Sequence, residues 1–239
     1  PALVITLDNL NLFAGVGGRL NHATTPTGLV TDGAIGVSVT NGSVKMAVVR
    51  PAGLASGNKT AFTALEVSLG NANLVGVEGL KFVAGGKILL NRATNQAGAA
   101  STPRINWTQA SSEPFDPNHI LPDFDNRLTD SIEFLIDGAV WFDAFGFVIG
   151  GAHFQITKAT MTISDGIVTL SNAPVMVITL DSLNLFAGVG AKLNSESSPT
   201  GIVTDGAIGF SVTGGGLKMA VARPAGLGAG DKTAYTALE

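Results

Sequence analysis

Residues 1–21 read PALVITLDNLNLFAGVGGRLN, and residues 174–194 read PVMVITLDSLNLFAGVGAKLN. The match continues: TDGAIGVSVTNGSVKMAVVRPAGL, from Thr31, returns as TDGAIGFSVTGGGLKMAVARPAGL from Thr204. Over Pro1–Glu66 and Pro174–Glu239, offset by 173 positions, about 47 of 66 residues are identical. Self-similarity at a fixed spacing marks a repeat architecture, so residues 1–173 read as one full period and 174–239 as a partial second copy equivalent to 1–66. The expectation is that the chain is a piece of a longer parent with a 173-residue period.

Within the copies, apolar residues alternate with polar ones in short runs punctuated by Gly, Asn, Asp and Pro, the pattern of half-buried strands. Val37, Val39, Val44, Met46 and Val48 flank Thr40-Asn41-Gly42-Ser43, and Asn-Gly between alternating apolars predicts a tight turn. No stretch keeps a 3.6-residue apolar period over three turns, so helices are not expected. A weaker rhythm starts at Ala34, Ala72, Ala139 and Ala173, suggesting about five units of about 34 residues per period. The fold class is therefore all-β and elongated. Units of this length predict a β-solenoid of stacked coils, and antiparallel hairpin or sandwich repeats are the alternative. Alternation further predicts that Ile5, Leu7, Leu10, Leu12, Val37, Val39, Met46 and Val48 are buried together.

Composition narrows the function. Charged residues are only 13% of the 239, net charge is -4, and no basic patch stands out, which argues against nucleic acid. The longest charge-free stretch, Gly166–Leu180, is too short for a membrane helix, so no membrane insertion is expected. Cysteine is absent, which excludes thiol catalysis and disulfides.

Phrases such as ANLVGVEGLKFVAGGKILLN, from Ala72, resemble the Gly- and Val-rich repeats of giant bacterial adhesin-like and haemolysin-type secreted proteins. The resemblance implies an extended stalk or spacer, extracellular or on the cell surface, whose partners are neighbouring repeats of the same protein, with surface glycans or other cells as further candidates. The Gly-Gly-x-Gly-x-Asp nonapeptide by which haemolysin-type β-rolls bind calcium is missing. Weak end-to-end self-association is expected from open terminal strands.

The chemistry-bearing residues are few. His22, His119 and His153 are the only histidines, and His22 is Ser195 in the second copy. No GxSxG elbow occurs, and GGKI from Gly85 lacks the rest of a phosphate loop. The irregular loop 93–130 holds SSEPFDPNHILPDFDNRLTD, from Ser111, with five carboxylates. Calcium takes six to eight oxygen ligands, so Asp116, Asp123, Asp125 and Asp130 are candidate calcium ligands. A glycosidase or lyase acid pair is a further reading of the same loop. The aromatic group Trp141, Phe142, Phe145 and Phe147 is a candidate contact for a glycan or partner. The leading expectation is a structural segment that is not an enzyme and carries no cofactor.

Overall fold

The computed structural model describes residues 1–228 and 230–239. Its elements in chain order are β1 (Ala2–Val16), β2 (Arg19–Leu20), β3 (Leu29–Val30), β4 (Ile35–Val49), β5 (Ala61–Val75), β6 (Leu80–Thr94), β7 (Ala100–Ser101), α1 (Trp107–Ala110), β8 (Ile132–Ala144), β9 (Val148–Ser164), β10 (Thr169–Val189), β11 (Lys192–Leu193), β12 (Ile202–Val203), β13 (Ile208–Ala222) and β14 (Tyr235–Leu238). The chain is nearly all β. Its long strands form one sheet in the order β1-β4-β5-β6-β8-β9-β10-β13-β14, with β7 beside β6. Each long strand pairs with the next long strand in sequence, and every strand pair among the described residues is antiparallel.

This topology corrects the solenoid expectation. Stacked coils place equivalent strands in parallel, whereas consecutive antiparallel strands need only short turns between them. Three links, 76–79, 145–147 and 165–168, are of that kind. The hairpin alternative is the nearer of the two, with the hairpins fused into one sheet. The expected turn at Asn41-Gly42 lies inside β4: Asn41 has φ 55°, and the β1–β4 pairing slips between Leu10 and Leu12. A left-handed residue serves a tight turn and a β-bulge equally well, and here it makes the bulge. Asn9 in β1, Ser182 in β10 and Gly214 in β13 repeat this conformation. The units of about 34 residues are therefore not the building blocks. Six long strands, β1, β4, β5, β6, β8 and β9, precede β10, which carries the start of the second copy.

The two copies pair identically. All twelve residue pairs of β1 with β4, from Ala2↔Val49 to Val16↔Ile35, recur between β10 and β13 with the 173-residue offset, slips included.

Alternation and the shared bulges give the sheet two distinct faces. One face buries the core. Ala47, Ala64, Leu89 and Leu135 pack under Trp107, Phe124 and Leu128 of the segment between β7 and β8. Farther along, Trp141, Ile149 and Phe186 pack under Ala191 and Leu193 of the loop after β10. Trp141 lies against Gly151, where an added Cβ would sit 2.1 Å from the indole Cε3. Small residues on this face make room for bulky ones carried by the loops.

The opposite face is also apolar but bare. One paired row crosses the sheet from Leu7 through Ile88, Ile136, Ile156 and Ile178 to Leu238. Most of the set expected to be buried together belongs here: Ile5, Leu7, Leu12 and Val37 are 39%, 50%, 50% and 40% exposed. That expectation is corrected, because the long connections that supply covering side chains fold onto the other face.

Candidate functional site

On the covered face a line of charged side chains runs across six strands. Lys45 (β4), Glu66 (β5), Lys87 (β6), Asp137 (β8), His153 (β9) and Asp181 (β10) share that face: Lys45 with Glu66, Lys87 with Asp137 and His153 with Asp181 are direct register partners, and Glu66 to Lys87 and Asp137 to His153 are diagonal steps of two residues. Asp125 and Arg127, from the segment before β8, dock between Lys87 and Asp137. The signs alternate along the whole line.

Glu66 is the anchor, with its side chain 4% exposed. Its Oε1 lies 3.9 Å from Lys45 Nζ and 3.6 Å from Lys87 Nζ, and its Oε2 accepts the Asp125 backbone N–H at 2.7 Å. Lys87 donates to Asp125 at 2.9 Å. Arg127 grips the Asp125 carboxylate with two donors, at 2.9 and 3.0 Å, and reaches Asp137 with a third. His153 Nε2 lies 2.6 Å from Asp137 and its Nδ1 3.3 Å from Asp181. The hydrogen bond from Arg127 holds Asp125 well below the usual carboxylate range, despite partial burial. Burial alone would raise Asp137, but hydrogen bonds from His153 and Arg127 outweigh it and lower it. Burial would likewise lower His153, but hydrogen bonding to Asp137 and Asp181 raises it.

Beside this line, Asn91 is fully buried and fully used. Its amide donates to the Ile105 and Thr129 carbonyls at 2.7 and 2.8 Å, and its oxygen accepts Trp107 Nε1–H at 2.9 Å. It ties both ends of the docked segment to β6. Asn106 caps α1, accepting from Thr108 and from the Gln109 backbone.

The four aspartates expected to bind calcium are not brought together. Asp116 is buried and accepts the Ile120 and Leu121 N–H groups at 3.1 and 2.7 Å. Asp125 is engaged by Lys87 and Arg127. Asp123 and Asp130 meet Lys45 and Arg104 through their backbone carbonyls. Among the described residues no group of three or more His, Cys, Asp or Glu side chains is placed to hold a metal ion. The carboxylates answer to neighbouring cations and amides, which composition alone does not reveal. Of the aromatic group, Trp141 is buried while Phe145 and Phe147 are exposed at the β8–β9 turn. His119 is exposed 3.6 Å from Glu113.

Reading the sequence missed Glu66, Lys87, Arg127, Asp137 and Asp181. A partial signal was present: Lys45, Glu66 and Asp181 are the single charged residues of β4, β5 and β10, while β6 and β8 carry three each, so the sequence does not say which of those joins the line. Their meeting depends on register, a long-range property. Compared with family models, curated proteins and solved structures, the chain matches none.

The line acts chemically as a clasp, and pH should test it. A histidine raised in the folded state stabilises fully below its unfolded value of about 6.5 and loses that contribution as pH rises through the raised value. Urea midpoints should therefore fall as pH increases from about 6.5, and His153→Asn should flatten that slope. A midpoint that rises over the same window in the parent chain, unaltered by His153→Asn, would contradict the placement of His153.

Proposed function

We propose that the chain is a structural, sheet-building segment of a large bacterial surface or secreted repeat protein, a stalk or spacer and not an enzyme. The observation that carries the reading is the dual pairing of β10. It repeats the β1–β4 register with β13 on one side and accepts β9 on the other. A strand that both closes one period and opens the next lets periods add edge to edge. Each addition of six strands would widen the sheet by about 29 Å at about 4.8 Å per strand.

The charged line supports a structural role over catalysis. Asp125, clasped by Lys87 and Arg127, stays ionised and is a poor general acid for glycan cleavage. His153 is spent between two carboxylates rather than aimed at a nucleophile.

Extending the chain by a further 173-residue period tests the reading. Cysteines replacing the added copies of Ile156 and Ile178, partners at the β9–β10 junction, should form a disulfide within one chain. The native chain has no cysteine to interfere. If the added pair stays reduced while the original junction cross-links, periods fold as separate units and the proposal fails.

A further inference from the structure

We propose that the bare face of the sheet contacts lipid hydrocarbon, so that the chain forms one wall of a membrane-embedded β-structure. This rests on the edge-to-edge sheet-building part of the reading above and replaces a free-standing stalk or spacer with a sheet that stands in a membrane.

The first observation is the segregation of charge. The side chains of Asp8, Lys45, Glu66, Lys87, Asp137 and Asp181 all fall on the covered face by register and alternation. Outside the bulges at Asn9, Asn41 and Ser182, the strand positions of the bare face between the Ile5 row and the Val16 row are Leu, Ile, Val, Met, Phe, Ala and Gly. The charged exceptions, Arg92 and Lys158, lie together at one end, where Lys158 pairs with Glu133 at 2.6 Å. An amphipathic wall of this kind alternates apolar-out and polar-in along each strand, as lipid-facing sheets do.

The second observation is dimension. From Leu3 to Val16, β1 rises about 43 Å at about 3.3 Å per residue, and a strand tilted about 45° spans about 30 Å, the thickness of a bilayer's hydrocarbon core. Across the nine strands the bare face measures about 40 Å, giving a footprint of about 1,700 Å². That is roughly twice what one partner contributes to a standard interface and several times the largest apolar patch of an ordinary monomer. An extended apolar medium fits such an area better than a docked protein.

The third observation is where the loops go. The three buried clusters draw their strand residues from the covered face alone, although long connections leave both ends of the sheet. Loops folded to one side leave the other free along its whole height.

The expectation of no insertion came from the lack of an apolar run long enough for a helix, and no helix here is long and apolar enough to cross a membrane. Strands cross with every second residue and need no such run. In hydrocarbon each backbone group must be paired, so the outer edges of β1 and β14, and the stretch of β13 that β14 does not reach, need further strands, which adjoining periods or a second chain would provide.

The test uses the whole chain with a polarity-sensitive fluorophore on single cysteines at Ile136, Ile156 or Thr157. The first two lie on the bare face and Thr157 on the covered one. Added phosphatidylcholine vesicles should raise the emission at Ile136 and Ile156 several-fold, and lipids brominated in the acyl chain should quench it, with Thr157 unchanged. Ile136→Asp with Ile156→Asp should weaken vesicle binding by about tenfold or more, with Thr157→Asp as control. Circular dichroism checks that each variant folds, and the labels report even if the double variant does not. Labels at Ile136 that ignore vesicles would overturn the proposal. So would labels already dry in buffer at twice the monomer mass, which would assign the face to a second copy. Either failure leaves the β9–β10 cross-link of the extended chain to stand or fall separately.

Discussion

Replacing Trp107 with alanine should lower the stability of the folded chain by about 3–5 kcal/mol, the usual cost of truncating a buried aromatic. Trp107 is fully buried, packs edge-on against Phe124 with ring centroids 5.7 Å apart, and donates to Asn91. It is the largest side chain that the segment between β7 and β8 presses onto the sheet, above Ala47, Ala64 and Leu89. Its loss would open a cavity and leave the Asn91 oxygen without its donor. Trp107→Phe keeps most of the volume and should cost less than alanine. Urea unfolding followed by far-UV circular dichroism measures both. A loss below about 1 kcal/mol for alanine would mean the segment is not docked as described.

Glu66→Ala should cost about 2–3 kcal/mol. Breaking a buried ion pair commonly costs about 3–5 kcal/mol, but Lys45 and Lys87 are 27% and 40% exposed and can turn to water, which discounts the figure. The Asp125 N–H would also lose its acceptor. The repeat supplies an internal control. Glu239 is the copy of Glu66 and sits 3.5 Å from Lys218, the copy of Lys45, but its side chain is 81% exposed. Glu239→Ala should therefore change stability by no more than about 0.5 kcal/mol, as exposed pairs do. Equal effects at the two positions would refute the claim that the docked segment, and not the local sequence, gives Glu66 its weight.

Much of the fold is legible in the residues, for reasons that also mark where reading fails. The 173-residue offset is a direct comparison of letters, and pairing follows it from Ala2↔Val49 to Val16↔Ile35. Alternation identifies strands and two faces, yet does not say which face is covered. Ile5 and Leu7 look like core, but the core forms where Trp107, Leu128 and Leu193 land, on the face of Ala47 and Leu135. Asn41-Gly42 announces a left-handed residue, and whether that makes a turn or a bulge depends on whether the neighbouring strand continues past it. Asp125 reads as one carboxylate among five in a loop. Its partners, Lys87 and Arg127, are 38 and two residues away, and only the docked segment unites them. Local chemistry is written in the chain, while coverage and partnership are long-range.

The central claim is a single antiparallel sheet in which both copies pair in the same register. Three double-cysteine variants test it most directly in this cysteine-free chain: Ile88→Cys with Ile136→Cys, Ile5→Cys with Met46→Cys, and Ile178→Cys with Met219→Cys, each a register pair of adjacent strands. Mild oxidation should close all three as intrachain disulfides, the last two to similar extents, without loss of strand signal. Free thiols at Ile88 and Ile136, or closure in only one of the two copied pairs, would contradict it.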